Sequence, residues 1–161
     1  MRMMRAALGL AAVLVVVAGS VQAAPRTDAA KLAVAREMIA AWKVADWRKV
    51  ADLFAPDGVL RSMMIEPVTG RAAIYQRVSA LGKGAPGGVL LDVAHMGVID
   101  GLVFIERTDR FVYNGHAGST PVVGVLDIRG GKVREWREYY DRASLLREMG
   151  VAPTVDPGAK P

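Results

Sequence analysis

The hydrophobic pattern of the second half of the chain, from about residue 88 to residue 141, alternates with a period of two. It runs through the segments "GVLLDVAHMGVI", "LVFIERTDRFVY" and "PVVGVLDIRGGKVREWREYYD". Because successive side chains of a β-strand point to opposite faces, this alternation predicts strands. The last segment contains Gly130 and Gly131, a pair that suits a tight turn, so we expect four strands in an antiparallel sheet.

Helical signals come before these strands. Thr27 or Asp28 is placed to cap a helix that runs to about Val44, and Asp46 to cap a short helix that "APDG" ends. The segment "VLRSMMI" then predicts a strand, "AAIYQRVSALGKG" a third helix, and "RASLLREMG" a closing helix. Helices followed by a meander predict an α+β domain, with helices packed on one face of a curved antiparallel sheet.

The first 23 residues have the pattern of a secretory signal peptide. "MRMMR" is positively charged, "AALGLAAVLVVVAG" is apolar but shorter than the roughly 20 residues of a membrane span, and "SVQAAP" contains small residues. We expect cleavage after Ala23 or Ala24, export to the periplasm or the medium, and no stable membrane anchor afterwards. The alternative is an uncleaved anchor. Residues 24–150 then form one domain, followed by a C-terminal tail over residues 151–161.

Charge and composition narrow the function classes. The chain has 21 Lys and Arg against 16 Asp and Glu, a formal charge of +5, but the basic residues are scattered. That distribution argues against nucleic-acid binding. The chain has no cysteine and only two separated histidines, His95 and His116, so no metal-ligand spacing is present.

Two charges interrupt an apolar strand face in "VFIERTDRF". Arg107 and Asp109 alternate with the same phase as Val103, Ile105 and Phe111. Burying a charge is costly unless it is paired, and residues two apart on a strand can pair through the long arginine side chain. The alternation leaves three explanations open: a structural ion pair near the open end of the sheet, a register that puts Glu106 and Arg110 inside instead, or part of an acid–base site.

A further carboxylate, Asp141, ends the last predicted strand. If that strand runs beside "VFIERTDRF", Asp141 enters the same concave space as Arg107 and Asp109. Asp141 also stands directly before "RASLLREM", where a helix needs an N-cap, and both roles are compatible. Two carboxylates with an arginine between them form an acid–base constellation, because the charge and the apolar walls separate their pKa values.

Longer stretches carry a family resemblance. The runs "HMGVIDGLVFIERTDRF" and "GVLDIRGGKVREWREYYD" resemble the limonene-1,2-epoxide hydrolase family, with its strand "E-R-x-D" and its last strand "G-K-(I/V)-x-x-W-R-(D/E)-Y-(F/Y)-D". The resemblance covers most of residues 30–147. It implies the cone-shaped α+β fold shared with ketosteroid isomerases and nuclear transport factors, with helices over the concave face of the sheet, and a homodimer. It also implies one-step hydrolysis of a small lipophilic epoxide, without metal or cofactor.

The resemblance implies roles for single residues. Asp141 corresponds to the general base, Asp109 to the general acid and Arg107 to the arginine that bridges them. The family's water-holding tyrosine and asparagine correspond to Leu60 and Ser62, of which only Ser62 can form a hydrogen bond. Asp141 and Ser62 are therefore left to hold the water.

Two more side chains are expected near the substrate. At least one of Met63 and Met64 faces the pocket, with Met64 taken as a lining residue, or both simply fill the core. Tyr139 shares a strand face with Asp141, so it lines the pocket or meets a dimer partner.

Two other functions stay open on the same fold. An isomerase would use Asp109 or Asp141 to move a proton beside a carbonyl, and it would need a hydrogen-bond donor opposite that base. A non-catalytic exported binding protein would hold an apolar ligand in the cone. For a binding protein we expect Asp141 to serve only as a helix cap, with methionine and aromatic side chains filling the pocket.

Overall fold

The computed structural model describes residues 24–81 and 89–151. The leader at residues 1–23, most of the glycine-rich loop and the tail beyond residue 151 lie outside the described residues, so export stays a prediction. The elements are α1 (Ala24–Lys43), α2 (Trp47–Leu53), β1 (Phe54–Ser62), β2 (Val68–Thr69), α3 (Arg71–Leu81), β3 (Leu90–Ile99), β4 (Leu102–Tyr113), β5 (His116–Arg129), β6 (Lys132–Tyr139) and α4 (Arg142–Glu148). Within the described part of the chain, no helix is both long and apolar enough to cross a membrane.

The six strands form one curved, unclosed sheet in the order β2-β1-β6-β5-β4-β3. Strands β3 to β6 pair antiparallel in sequence, and β1 joins the sheet beside β6 in a parallel pairing. Both Gly130 and Gly131 have positive φ values, 56° and 72°, in the turn between β5 and β6, as the hairpin prediction requires. The predicted α+β class, with helices on one face of a curved sheet, is confirmed.

The core lies between the helices and the inner face of the sheet. Trp136 of β6 is at its centre: it stacks on Phe54 with ring centroids 6.4 Å apart and meets Trp42 edge-on at 6.3 Å. Met38 of α1 and Ile74 of α3 are also fully buried. Each such side chain contributes roughly 1.5–3 kcal/mol by leaving water. Trp42 and Trp136 also line a cavity on this inner face of the sheet.

Strand β1 differs from its prediction, which placed it later in the chain. It begins at Phe54, which is fully buried, and it continues through "APDG". A shift in its pairing with β6 between Phe54 and Val59 accommodates this segment, since a regular ladder cannot use the proline nitrogen. The strand then ends at Ser62, so Met63 and Met64 lie beyond it, 40% and 50% exposed.

Candidate functional site

Arg107 and Asp109 lie on the inner face of β4 and contact each other. Arg107 is only 4% exposed. Its Nε donates to Oδ1 of Asp109 at 2.7 Å, and its Nη2 donates to Oδ2 at 3.1 Å. The fork of the guanidinium therefore holds both carboxylate oxygens, an arrangement that lysine could not reproduce.

The second carboxylate on Arg107 belongs to Glu138 of β6. Nη2 of Arg107 donates to Oε2 of Glu138 at 2.5 Å. To make this contact the arginine crosses β5, which lies between β4 and β6. It crosses at Gly124: a Cβ there would lie 2.7 Å from Nη1 of Arg107 and 2.8 Å from Nε1 of Trp136. The glycine thus provides the space through which the arginine reaches both carboxylates.

Asp141 does not join this group. Strand β6 ends at Tyr139, and the exposed Asp141 caps α4, where its Oδ1 accepts a hydrogen bond from the Ala143 nitrogen at 2.9 Å. The expectation that Asp141 enters the cavity is therefore wrong in position. The missed residue is Glu138, and the alternation carried a signal for it, because Glu138 lies two residues from the buried Trp136 and so shares its face.

Of the four other residues predicted to line the cavity, two do so and two do not. Leu60 and Ser62 line the cavity, while Met64 and Tyr139 do not, and Tyr139 is 42% exposed on the opposite face from Glu138. The lining tyrosine is the next residue, Tyr140.

A pair of hydroxyl groups lies on the Glu138 side of the site. Ser62 is the register partner of Glu138 across the parallel pairing of β1 and β6. The Ser62 hydroxyl is 2.5 Å from the hydroxyl of Tyr140, and either oxygen can be the donor. Leu60 lies two residues back, opposite Trp136. Tyr140 thus brings a phenol to the side of the cavity where Leu60 contributes none.

The electrostatics favour one proton on the two carboxyl groups. Burial raises the pKa of Glu138 to about 7, against the opposing effect of Arg107. Burial also raises the pKa of Asp109 above its usual range, again opposed by Arg107. Burial would lower the pKa of Arg107, but the two carboxylates more than offset it. One fixed positive charge balances one carboxylate, so the buried site is neutral when the other carboxyl carries a proton.

These groups line one part of a cavity of about 370 Å³. Its volume is at the lower end of the range typical of small-molecule pockets. Most of its walls are apolar, formed by Trp42, Leu60, Ile65, Val68, Val89, Leu91, Phe111, Val122, Trp136, Leu145 and Met149 among others. An acid and a base side by side in an apolar cavity suit proton transfer to and from a small lipophilic molecule.

Solved structures share this architecture. An LEH-like epoxide hydrolase from M. tuberculosis matches with a TM-score of 0.67 at 17% identity, over 76% of this chain and 90% of that one. A protein of ketosteroid isomerase-like fold from Catenulispora acidiphila, in complex with trimethylamine, matches with a TM-score of 0.67 at 21% identity, over 74% and 93% of the two chains. A putative polyketide cyclase from Xanthomonas campestris matches with a TM-score of 0.66 at 19% identity, over 76% and 98%. At these identities the likeness concerns the fold.

A comparison with family sequence models gives the family itself. The SnoaL-like domain matches residues 35–136, from the middle of α1 to the Trp136 of β6. The match spans more than half of the chain, including Arg107 and Asp109. The cone-shaped neighbours agree with this assignment. The chain belongs to the SnoaL-like domain family.

Proposed function

We propose that this protein hydrolyses small lipophilic epoxides in one step, with Glu138 in the role that the family resemblance implies for Asp141. The observation that carries the proposal is the single buried Arg107 bonded to two carboxylates, Asp109 and Glu138, in an apolar cavity. An epoxide needs an acid at its oxygen and a base for the attacking water. Two carboxyl groups that share one proton and one arginine can supply both the acid and the base without a cofactor.

Two neighbouring hydroxyl groups support Glu138, rather than Asp109, as the base. Ser62 and Tyr140 offer hydroxyl groups beside Glu138, where they can orient a water molecule. The two carboxyl groups share one proton, and the reactive form is the one in which that proton lies on Asp109 and Glu138 is ionised. In this form Glu138 takes a proton from the water, and the water oxygen attacks an epoxide carbon. As the carbon–oxygen bond of the ring breaks, its oxygen takes the proton of Asp109, which gives a diol. A proton returns from Glu138 to Asp109 before the next turnover.

The test is diol formation by the mature protein on small epoxides such as cyclohexene oxide and styrene oxide. We expect product from the parent, and a loss of at least about 100-fold in Glu138→Gln and Asp109→Asn, since each removes one proton-transfer group. Asp141→Asn is the matched control, because asparagine caps a helix as well as aspartate does. It should retain the parent rate.

Two outcomes would count against the proposal. No diol from the folded parent on any epoxide would reject hydrolysis. An inactive Asp141→Asn beside an active Glu138→Gln would instead reject the assignment of Glu138 as the base. Circular dichroism spectra of all variants separate a loss of chemistry from a loss of fold.

A second candidate is proton transfer beside a carbonyl, as in an isomerase or a cyclase. The observation in its favour is the Tyr140 hydroxyl, a donor that can polarise a carbonyl near a carboxyl of pKa about 7. It is tested by incubating small cyclic ketones with the protein in deuterated water and following exchange of the α-hydrogens by NMR. Exchange that Glu138→Gln abolishes, without diol formation from epoxides, would favour this reaction.

The binding-protein alternative is less well supported. Asp141 does serve as a helix cap, as that alternative expects. However, Met63 and Met64 are exposed outside the cavity, and two carboxylates remain inside it. Buried charges of this kind are unfavourable for holding a purely apolar ligand, because they cost desolvation and return no contact with it.

A further inference from the structure

Thr120 presents a buried hydroxyl that nothing in the described residues satisfies. It lies on β5 as the register partner of Asp109 across the β4–β5 pairing, and it lines the cavity. The residue is 4% exposed, and its Oγ1 has no hydrogen-bond partner within the described ranges. A buried hydroxyl without a partner is unfavourable for stability, whereas a valine of the same shape would avoid that cost.

The neighbouring groups leave this hydroxyl available. Both oxygens of Asp109 are bonded to Arg107, through Nε and Nη2, and neither forms a hydrogen bond with Oγ1 of Thr120. Val122, two residues along the same face of β5, is buried and lines the cavity with a purely apolar side chain. Thr120 is thus a polar atom in an apolar wall, next to the carboxyl that the proposed reaction uses as its acid.

We infer that Oγ1 of Thr120 donates a hydrogen bond to the substrate oxygen that Asp109 protonates. The inference rests on the proposed function for the identity of that oxygen. As the epoxide opens, negative charge grows on the ring oxygen, and a preorganised donor stabilises it more in the transition state than in the ground state. The substrate class is therefore a small lipophilic molecule with one hydrogen-bond-accepting oxygen.

This assignment also orients the substrate. The oxygen lies at the end of the site formed by Thr120 and Asp109, and the water lies at the end formed by Glu138 and Ser62. Attack then occurs at the ring carbon nearer Glu138, while the hydrocarbon part contacts the apolar walls. An unsymmetrical epoxide should give one regioisomer of the water adduct, as seen with water labelled by oxygen-18.

The test compares Thr120→Val, which replaces the hydroxyl with a methyl group, and Thr120→Ser, which keeps it. Thr108→Val is the matched control, on the neighbouring strand but on the outer face. We expect Thr120→Val to lower kcat for diol formation about tenfold or more with KM changed less than about threefold, while its thermal midpoint equals or exceeds the parent's. Thr120→Ser should stay within about threefold of the parent. A kcat of Thr120→Val within twofold of the parent, or an equal loss in Thr120→Ser, would overturn the inference.

A binding measurement separates this inference from the proposed reaction. Trp42 and Trp136 line the cavity, so tryptophan fluorescence reports its occupancy. Cyclohexanone and methylenecyclohexane have nearly the same shape, but only the ketone accepts a hydrogen bond. We expect Thr120→Val to weaken binding of the ketone about fivefold and to leave binding of the hydrocarbon nearly unchanged, so that the ratio of the two affinities falls about fivefold. If the ratio of ketone to hydrocarbon affinity depends on Thr120 but the parent forms no diol, hydrolysis is rejected and the oxygen-binding role of Thr120 stands. An equal ratio in the parent and in Thr120→Val rejects that oxygen-binding role.

Discussion

The buried carboxyl of Glu138 should make the folded protein less stable as the pH rises. Burial raises its pKa from the usual 4.5 to about 7 in the folded state. The folded state therefore binds this proton more tightly than the unfolded chain does. The stability from this proton is fully present below pH 4.5 and is lost as the pH rises through about 7. At roughly 1.36 kcal/mol per pKa unit, the loss is about 3 kcal/mol.

The measurement is urea unfolding of the parent and of Glu138→Gln between pH 4.5 and pH 8. Glutamine stays uncharged across this range and has nearly the same shape. We expect the unfolding free energy of the parent, relative to that of the variant, to fall by about 3 kcal/mol over the range, because titrating groups away from the site cancel in the difference.

The control is Glu135→Gln, the same chemical change on the same strand. Glu135 pairs with Arg61 rather than with Arg107. We expect this variant to follow the pH dependence of the parent. Parallel curves for the parent and for Glu138→Gln would refute the reasoning, because they would mean that Glu138 binds its proton equally well in the folded and unfolded states.

Two further predictions concern the same arginine–carboxylate group. The rate of diol formation should fall as the pH rises through about 7, because the two carboxyl groups then lose their shared proton and no acid remains. The rate should also fall at low pH, where both carboxyl groups are protonated and no base remains. Measuring kcat/KM between pH 4 and pH 9 checks both limbs. Gly124→Ala should abolish activity and lower stability by about 1–3 kcal/mol, since its Cβ would lie 2.7 Å from Nη1 of Arg107 and 2.8 Å from Nε1 of Trp136. Gly97→Ala is the control for thermal unfolding and activity: a Cβ there meets nothing within 4 Å, so both should stay close to the parent values.

The sequence predicted the half of the site that lies on one strand. Alternation in "VFIERTDRF" was enough to assign Arg107 and Asp109 to one face, because the strand is regular there and its apolar residues define the inner side. The prediction for Asp141 was wrong because the last strand ends at Tyr139, before it reaches that residue. The sequence around Asp141 fitted both the end of a strand and a helix N-cap. In the structure Asp141 is the N-cap, because its side chain accepts a hydrogen bond from the backbone nitrogen of Ala143. Glu138 follows from the same alternation once Trp136 is known to be in the core.

Contacts between strands were beyond prediction from the sequence. The importance of Gly124 depends on the register that puts it opposite both Ile105 of β4 and Glu138 of β6. The position of Thr120 beside Asp109 depends on the same register. Turn residues fix where a hairpin begins, but the match of distant residues across three strands follows from the curvature and packing of the whole sheet. A sequence pattern within one strand carries no information on those matches.

Under the proposed hydrolysis, the arrangement of polar groups also compensates for the leucine at position 60. Leu60 lies against Trp136, at the apolar part of the cavity, so a water-holding group is needed one pair further along, opposite Glu138. Ser62 occupies that position, and the phenol of Tyr140 reaches it from the end of β6 at 2.5 Å. The hydroxyl that position 60 lacks is thus supplied by the residue that follows β6. Because Thr120 lies at the other end of the arginine–carboxylate group, the proposed reaction has one end of the cavity for the water and the other for the substrate oxygen. This direction, rather than the shared cone fold, is the reason for proposing addition of water instead of simple ligand binding.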